Sequence, residues 1–139
     1  YKNNVWDKGH MAPAAAFTDT KEKLKTTFSY LNCSLQFDKL NRGAWRELEA
    51  QERAWAKKYG TLKVRVVLHF EQNHLVLETG GHVPNGYWKY ITFPNGRKEC
   101  FYFPNSTPTK HWSDYEIQCW NVIACSSLSL GSSCFSLSK

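Results

Sequence analysis

The run from Leu62 to Phe70 alternates with a period of two, placing Leu62, Val64, Val66, Leu68 and Phe70 on one face. Successive side chains of a strand point to opposite sides, so this pattern predicts a strand with one face buried. The stretch before it follows another rule. Ala44, Trp45, Leu48 and Trp55 recur at helical spacing, and Gly60 stands where such a helix would stop. Lys57 and Lys58 fall in its last turn, where cations suit the helix dipole. The chain therefore reads as helix-bearing in its first half and antiparallel β in its second, an α+β fold.

The remaining elements are predicted from local chemistry. Val5-Trp6-Asp7 reads as a short strand end. Gly9 before His10 suggests a backbone conformation closed to other residues. The charge run from Thr18 to Thr27 reads as a solvated face. Thr27 to Leu31 reads as a strand that delivers Asn32 at its end. Asp38 and Asn41 are candidate caps of the helix. Leu75-Val76-Leu77 and Tyr87 to Phe93 are expected strands. Pro94-Asn95-Gly96-Arg97 is a tight-turn signal, and Cys100 to Phe103 returns as the paired strand. Pro104 to His111 reads as loop, and Asp114 to Asn121 fits a short helix or a strand equally. The organisation expected is one domain over residues 1–125 and an irregular tail over 126–139, half serine, packed through Phe135 and Leu137.

Composition narrows the function. A chain of 139 residues with 42% hydrophobic and 15% aromatic content can build one core. The formal net charge is +6, and residues 1–60 hold 11 of the 18 Lys and Arg against 7 of the 12 Asp and Glu. The excess positive charge thus lies in the first part, as a polyanionic partner requires. Cys33, Cys100, Cys119, Cys125 and Cys134 show neither a CxxC pair nor regular zinc-ligand spacing. No apolar window is long enough to span a membrane.

Two stretches carry candidate chemistry. His10 lies between a glycine and an apolar run ending in Pro13, and Asn41 follows 31 residues later. An unperturbed imidazole is mostly free to accept a proton at neutral pH. An asparagine oxygen suits Mg²⁺, a hard cation that prefers oxygen and keeps several waters. Lys8, Arg42, Arg46 and Arg53 supply cations for phosphate. A base, a hard-cation ligand and phosphate-binding cations are the parts that phosphodiester hydrolysis needs. On one continuous helix, Glu49 would lie about 12 Å along the axis and about 80° round from Asn41. Trp45 between them reads as core packing. His69, His74, His82 and His111 match no motif and read as structural.

Asp7-Lys8-Gly9-His10-Met11-Ala12-Pro13 resembles the Asp-Arg-Gly-His signature of the DNA/RNA non-specific endonucleases, the ββα-metal (His-Me finger) group. Leu31-Asn32-Cys33-Ser34-Leu35-Gln36 is similar to a Ser-Asn-x-x-Pro-Gln segment of that family, and Leu40 through Arg53 to its metal-binding helix. Lys8 replaces the usual arginine, and Leu35 the usual proline. The resemblance implies a ββα-metal core with an antiparallel sheet, lacking the usual N-terminal strands. It implies a Mg²⁺- or Mn²⁺-dependent nuclease acting on DNA and RNA and leaving 5′-phosphate and 3′-hydroxyl ends. It also implies roles: His10 as general base, Asn41 as direct metal ligand, Glu49 holding the metal through a water, and Asn32 orienting the site. Lys8 and Arg53 would face the phosphate, with Arg42 and Arg46 as further candidates. The alternative from another class is an inactive relative that still binds nucleic acid. The residues themselves set no location, and the resemblance alone favours a secreted or organellar one. If the leading strands are missing, Leu62 to Phe70 should have an open edge. That edge would be met by a homodimer or partner chain, by a missing N-terminal segment, or by strands from residues 75–103.

Overall fold

The computed structural model describes residues 5–12, 33–119 and 132–138. The strand expected over Thr27 to Leu31, the charge run before it, Asn32 and Cys125 lie outside the described residues.

The first element is β1 (Trp6–His10), which pairs antiparallel with β2 (Cys33–Phe37), Trp6 facing Phe37 and His10 facing Cys33. Trp6 and Phe37 close one end of the pair with rings edge to face, 5.6 Å between centroids. Gly9 is needed here for space. Its φ is not positive, contrary to the expectation of an unusual backbone conformation. A Cβ at this position would run into the side chain of Gln36, whose own Cβ would be 2.8 Å away.

The helical region follows β2 directly, but in two pieces: α1 (Asp38–Asn41) and α2 (Ala44–Tyr59). Neither Asp38 nor Asn41 caps a helix. Asp38 is already inside α1 behind Phe37, Asn41 ends it, and Gly43 precedes α2. The break needs glycine, because a Cβ on Gly43 would lie 2.5 Å from the backbone oxygen of Lys39. Asn41 and Glu49 therefore do not share one helix, and the single-helix spacing between them does not apply. Gly60 ends α2 at φ +106°, the left-handed region where glycine is favoured.

A five-stranded antiparallel sheet forms the other layer. It contains β3 (Leu62–His69), β4 (Gly86–Thr92), β5 (Lys98–Pro104), β6 (Glu116–Ile117) and β7 (Ser132–Leu137), in the order β6-β5-β4-β3-β7. Two expectations are corrected. Within the serine-rich tail, Ser132–Leu137 is a strand and not irregular, pairing with β3 from Val67–Ser132 to Leu62–Leu137. For the same reason β3 has no open edge: β4 lies on one side and β7 on the other. The reason for expecting a partner strand there falls away. Leu75-Val76-Leu77 is likewise not a strand. It belongs to the loop joining β3 and β4, where one bridge, Val76 to His82, is its only pairing among the described residues. Leu75 and Val76 remain about half exposed, so little apolar burial rewards a longer ladder. The segment after His111 combines both readings, a short 3₁₀ turn (Trp112–Tyr115) and then β6. Cys100 on β5 is disulfide-bonded to Cys119, just past β6.

Helix α2 lays Trp45, Leu48 and Ala56 against Leu62, Val64 and Val66 of β3, Tyr87 and Ile91 of β4, and Phe101 and Phe103 of β5. All of these are fully buried. Polar groups dock the β1–β2 pair onto this body. Asn105 accepts from the Phe37 N–H at 2.7 Å and donates to the Leu35 and Pro84 carbonyls, each at 3.0 Å. Ser34 Oγ lies 3.1 Å from the Tyr87 hydroxyl. These bonds set where the end of β1 stands relative to the helix break.

Candidate active site

β1 brings Asp7, Lys8, Gly9 and His10 to one short segment, and the end of α1 presents Asn41 beside it, with Arg42 just past the helix. The Asn41 Nδ2 donates to Asp7 Oδ2 at 3.0 Å. Arg42 holds the same carboxylate with two bonds, Nε to Oδ2 at 2.9 Å and an Nη to Oδ1 at 2.8 Å. An ionised carboxylate only accepts, so the amide must turn its NH₂ toward Asp7. The amide oxygen, which suits a hard cation, is then the other end of the side chain. Burial pushes the Asp7 carboxyl up, but the hydrogen bonds from Arg42 and Asn41 and the Arg42 charge outweigh it and hold it below the usual carboxylate range.

His10 ends β1, three residues beyond Asp7, and is half-buried. Burial, and then the neighbouring Lys8 charge, push its pKa below the ordinary 6.5. The neutral imidazole, the form that can take a proton, is therefore favoured at neutral pH.

The structure does not treat the four candidate phosphate cations alike. Lys8 and Arg46 are exposed, Arg53 is partly buried, and Arg42 is exposed but doubly bonded to Asp7. Glu49 projects from α2, partly buried. Burial raises its pKa to about 7, against the pull of Lys89, with Glu52 raising it further and Arg53 and Arg46 opposing.

Beneath Glu49 lies an ion pair that sequence reasoning passed over. Lys89 Nζ sits 2.8 Å from Glu52 Oε2 with both side chains fully buried, and 4.1 Å from the centre of the Trp45 ring. The signal was present. Lys89 shares strand phase with Tyr87 and Ile91, and Glu52 lies on the helix stripe of Leu48 and Ala56. A charged residue at the phase of a buried stripe needs a partner of opposite sign. Asp7 was likewise visible in the motif, without a role. Trp45, fully buried against Tyr87 and Phe103, packs the core as expected. Among the described residues no group of three or more His, Cys, Asp or Glu gathers as a metal cluster.

The sequence model of the DNA/RNA non-specific endonucleases matches residues 1–133, nearly the whole chain and every part of the arrangement around β1 and α1. The chain belongs to the DNA/RNA non-specific endonuclease family. Members of this family typically use a divalent metal. A chain from the crystal structure of the EndoG/EndoGI complex, which addresses the mechanism of EndoG inhibition, is similar in fold. The TM-score is 0.70 at 24% identity, over 85% of this chain and 56% of that one. This chain therefore spans little more than half the length of that relative. The antiparallel sheet and covering helix of this endonuclease-family chain are those of the EndoG structure. Among curated proteins none matches the chain. No helix of the described residues is long and apolar enough to cross a membrane.

Proposed function

We propose that the protein is a metal-dependent nuclease that hydrolyses phosphodiester bonds of DNA and RNA without reading sequence. His10 is the general base, and Asn41 is the direct ligand of Mg²⁺ or Mn²⁺. The observation that carries this reading is the bond from Asn41 Nδ2 to Asp7 Oδ2, which leaves the amide oxygen as the end available to a hard cation. One neutral protein oxygen is a sparse donor set, and it suits Mg²⁺, which keeps most of its shell as water and substrate phosphate. When bound, such an ion stabilises charge on the phosphate and on the leaving oxygen.

The chain's own residues do the rest. His10, kept neutral by burial and by Lys8, takes a proton from the attacking water. Lys8, Arg46 and Arg53 face the phosphate with positive charge, and Arg42 does so with the donors that Asp7 leaves over. Lysine at position 8 supplies charge without the two-pronged geometry of a guanidinium. Glu49 supports the metal's water shell, and Asn32 orients the site. Contacts of this kind grip the backbone and carry no sequence information.

The test is nicking of supercoiled plasmid and cleavage of RNA in Mg²⁺, in Mn²⁺ and in EDTA, with His10→Ala beside the wild type. Cleavage should require the metal and be lost in His10→Ala. That variant should still bind unrelated duplexes alike, with affinity falling steeply between about 50 and 200 mM salt. Salt-sensitive binding by the wild type without any cleavage would instead identify a nucleic-acid-binding module.

A further inference from the structure

The loop between β3 and β4 holds a second constellation, unrelated to the residues above. Around the turn at Gly80 the chain folds back on itself, with Leu77 N–H to Gly81 O and Val83 N–H to Leu75 O both at 2.8 Å. His82 stands opposite Val76, so His74, two residues earlier, lies on the same side as His82. Their rings meet nitrogen to nitrogen, His74 Nε2 and His82 Nδ1 being 2.6 Å apart. The other nitrogen of His74, Nδ1, lies 2.8 Å from the Glu71 carbonyl oxygen. A carbonyl can only accept, so His74 Nδ1 carries the proton and its Nε2 lone pair accepts from His82 Nδ1–H; a metal replaces that proton, and His82 keeps its ring proton on the exposed Nε2 instead. A backbone carbonyl fixing the tautomer from behind is the usual support of a metal-binding histidine.

We propose that His74 and His82 form a two-imidazole site for a borderline transition-metal ion of the Zn²⁺ class. Paired imidazoles favour such ions over Mg²⁺, which prefers oxygen. Zinc–imidazole bonds of about 2.0–2.1 Å in tetrahedral geometry set the two nitrogens roughly 3.3 Å apart. The present 2.6 Å thus has to open by less than an ångström, within a loop where His82 is exposed. No third His, Cys, Asp or Glu completes a cluster among the described residues, so water takes the remaining positions.

The probe is ZnCl₂ alone, added to the uniformly ¹⁵N-labelled full chain while histidine ring resonances are followed. Up to one equivalent, His74 Nε2 and His82 Nδ1 should shift together, with His69 and His111 unmoved, and Mg²⁺ should move neither. By calorimetry His74→Ala and His82→Ala should each weaken Zn²⁺ binding at least tenfold. Shifts that leave this pair untouched, or wild-type affinity in either variant with a native circular dichroism spectrum, would overturn the site. If a variant does not fold, the wild-type ring resonances decide alone.

Discussion

The Asp7 carboxylate orients the Asn41 side chain, with Nδ2 and Oδ2 3.0 Å apart across 34 residues of sequence. In the proposed mechanism Asp7 thereby sets the metal-facing end of Asn41 without itself supplying a ligand. Asp7→Ala should raise the Mg²⁺ concentration needed for half-maximal cleavage several-fold. The stability loss should be only about 1 kcal/mol, because Arg42, its other partner, is largely exposed. Cleavage rates measured against Mg²⁺ concentration, with thermal melts alongside, check this. An unchanged Mg²⁺ response would remove Asp7 from the site.

The pH profile tests His10. A base works in its deprotonated form, and burial with Lys8 lowers the His10 pKa beneath 6.5. The acid limb of the rate profile should therefore have its midpoint below 6.5, not at or above it. Replacing Lys8 with glutamine removes the smaller of the two causes and should move that midpoint upward, whatever it does to the maximal rate. His10→Ala should lower the rate by roughly 10²–10⁴ with metal and substrate binding retained.

Glu49 makes an opposite statement about stability. Its pKa is raised from 4.5 to about 7, so the folded state favours the protonated carboxyl. The stabilisation is complete below about pH 4.5 and is lost as pH rises through about 7. In EDTA, melts of the wild type should show this loss across that window. Glu49→Gln, which cannot ionise, should flatten it and be the more stable protein above pH 7. Parallel curves for the two would show that Glu49 ionises freely.

The buried pair of Lys89 and Glu52 can be broken or removed. Lys89→Met leaves a buried carboxylate unpaired and should cost about 3–5 kcal/mol in denaturant unfolding. Adding Glu52→Leu removes the orphaned charge and should recover most of the loss. A single variant as stable as wild type would mean that Glu52 reaches solvent.

Much of the fold was legible because its pattern is local. Alternation fixed β3, the Pro-Asn-Gly turn fixed the hairpin of β4 and β5, and Gly60 fixed the end of α2. What was missed depends on distant or steric partners. Ser132–Leu137 has little strand propensity of its own and is a strand because β3 lies beside it. The break at Gly43 follows from the Lys39 carbonyl, and the need for Gly9 from a side chain on the opposite strand. The motif pointed to His10 and Asn41, but the hydrogen bond through which Asp7 orients Asn41 joins two segments and has no periodicity to betray it. Leu75 to Leu77 failed in the other direction: strand-like residues with too little surface to bury.

The place of β7 beside β3 has a consequence for synthesis. Its residues are translated 65 to 75 positions after the β3 residues they face. At about 5–20 residues per second, a growing chain carries one side of β3 without a neighbour for several seconds. During that interval the backbone donors and acceptors of Leu62–His69 are open to any other extended segment nearby, including one from another nascent copy. Docking of Ser132–Leu137, rather than formation of the helix, is the step that removes this hazard.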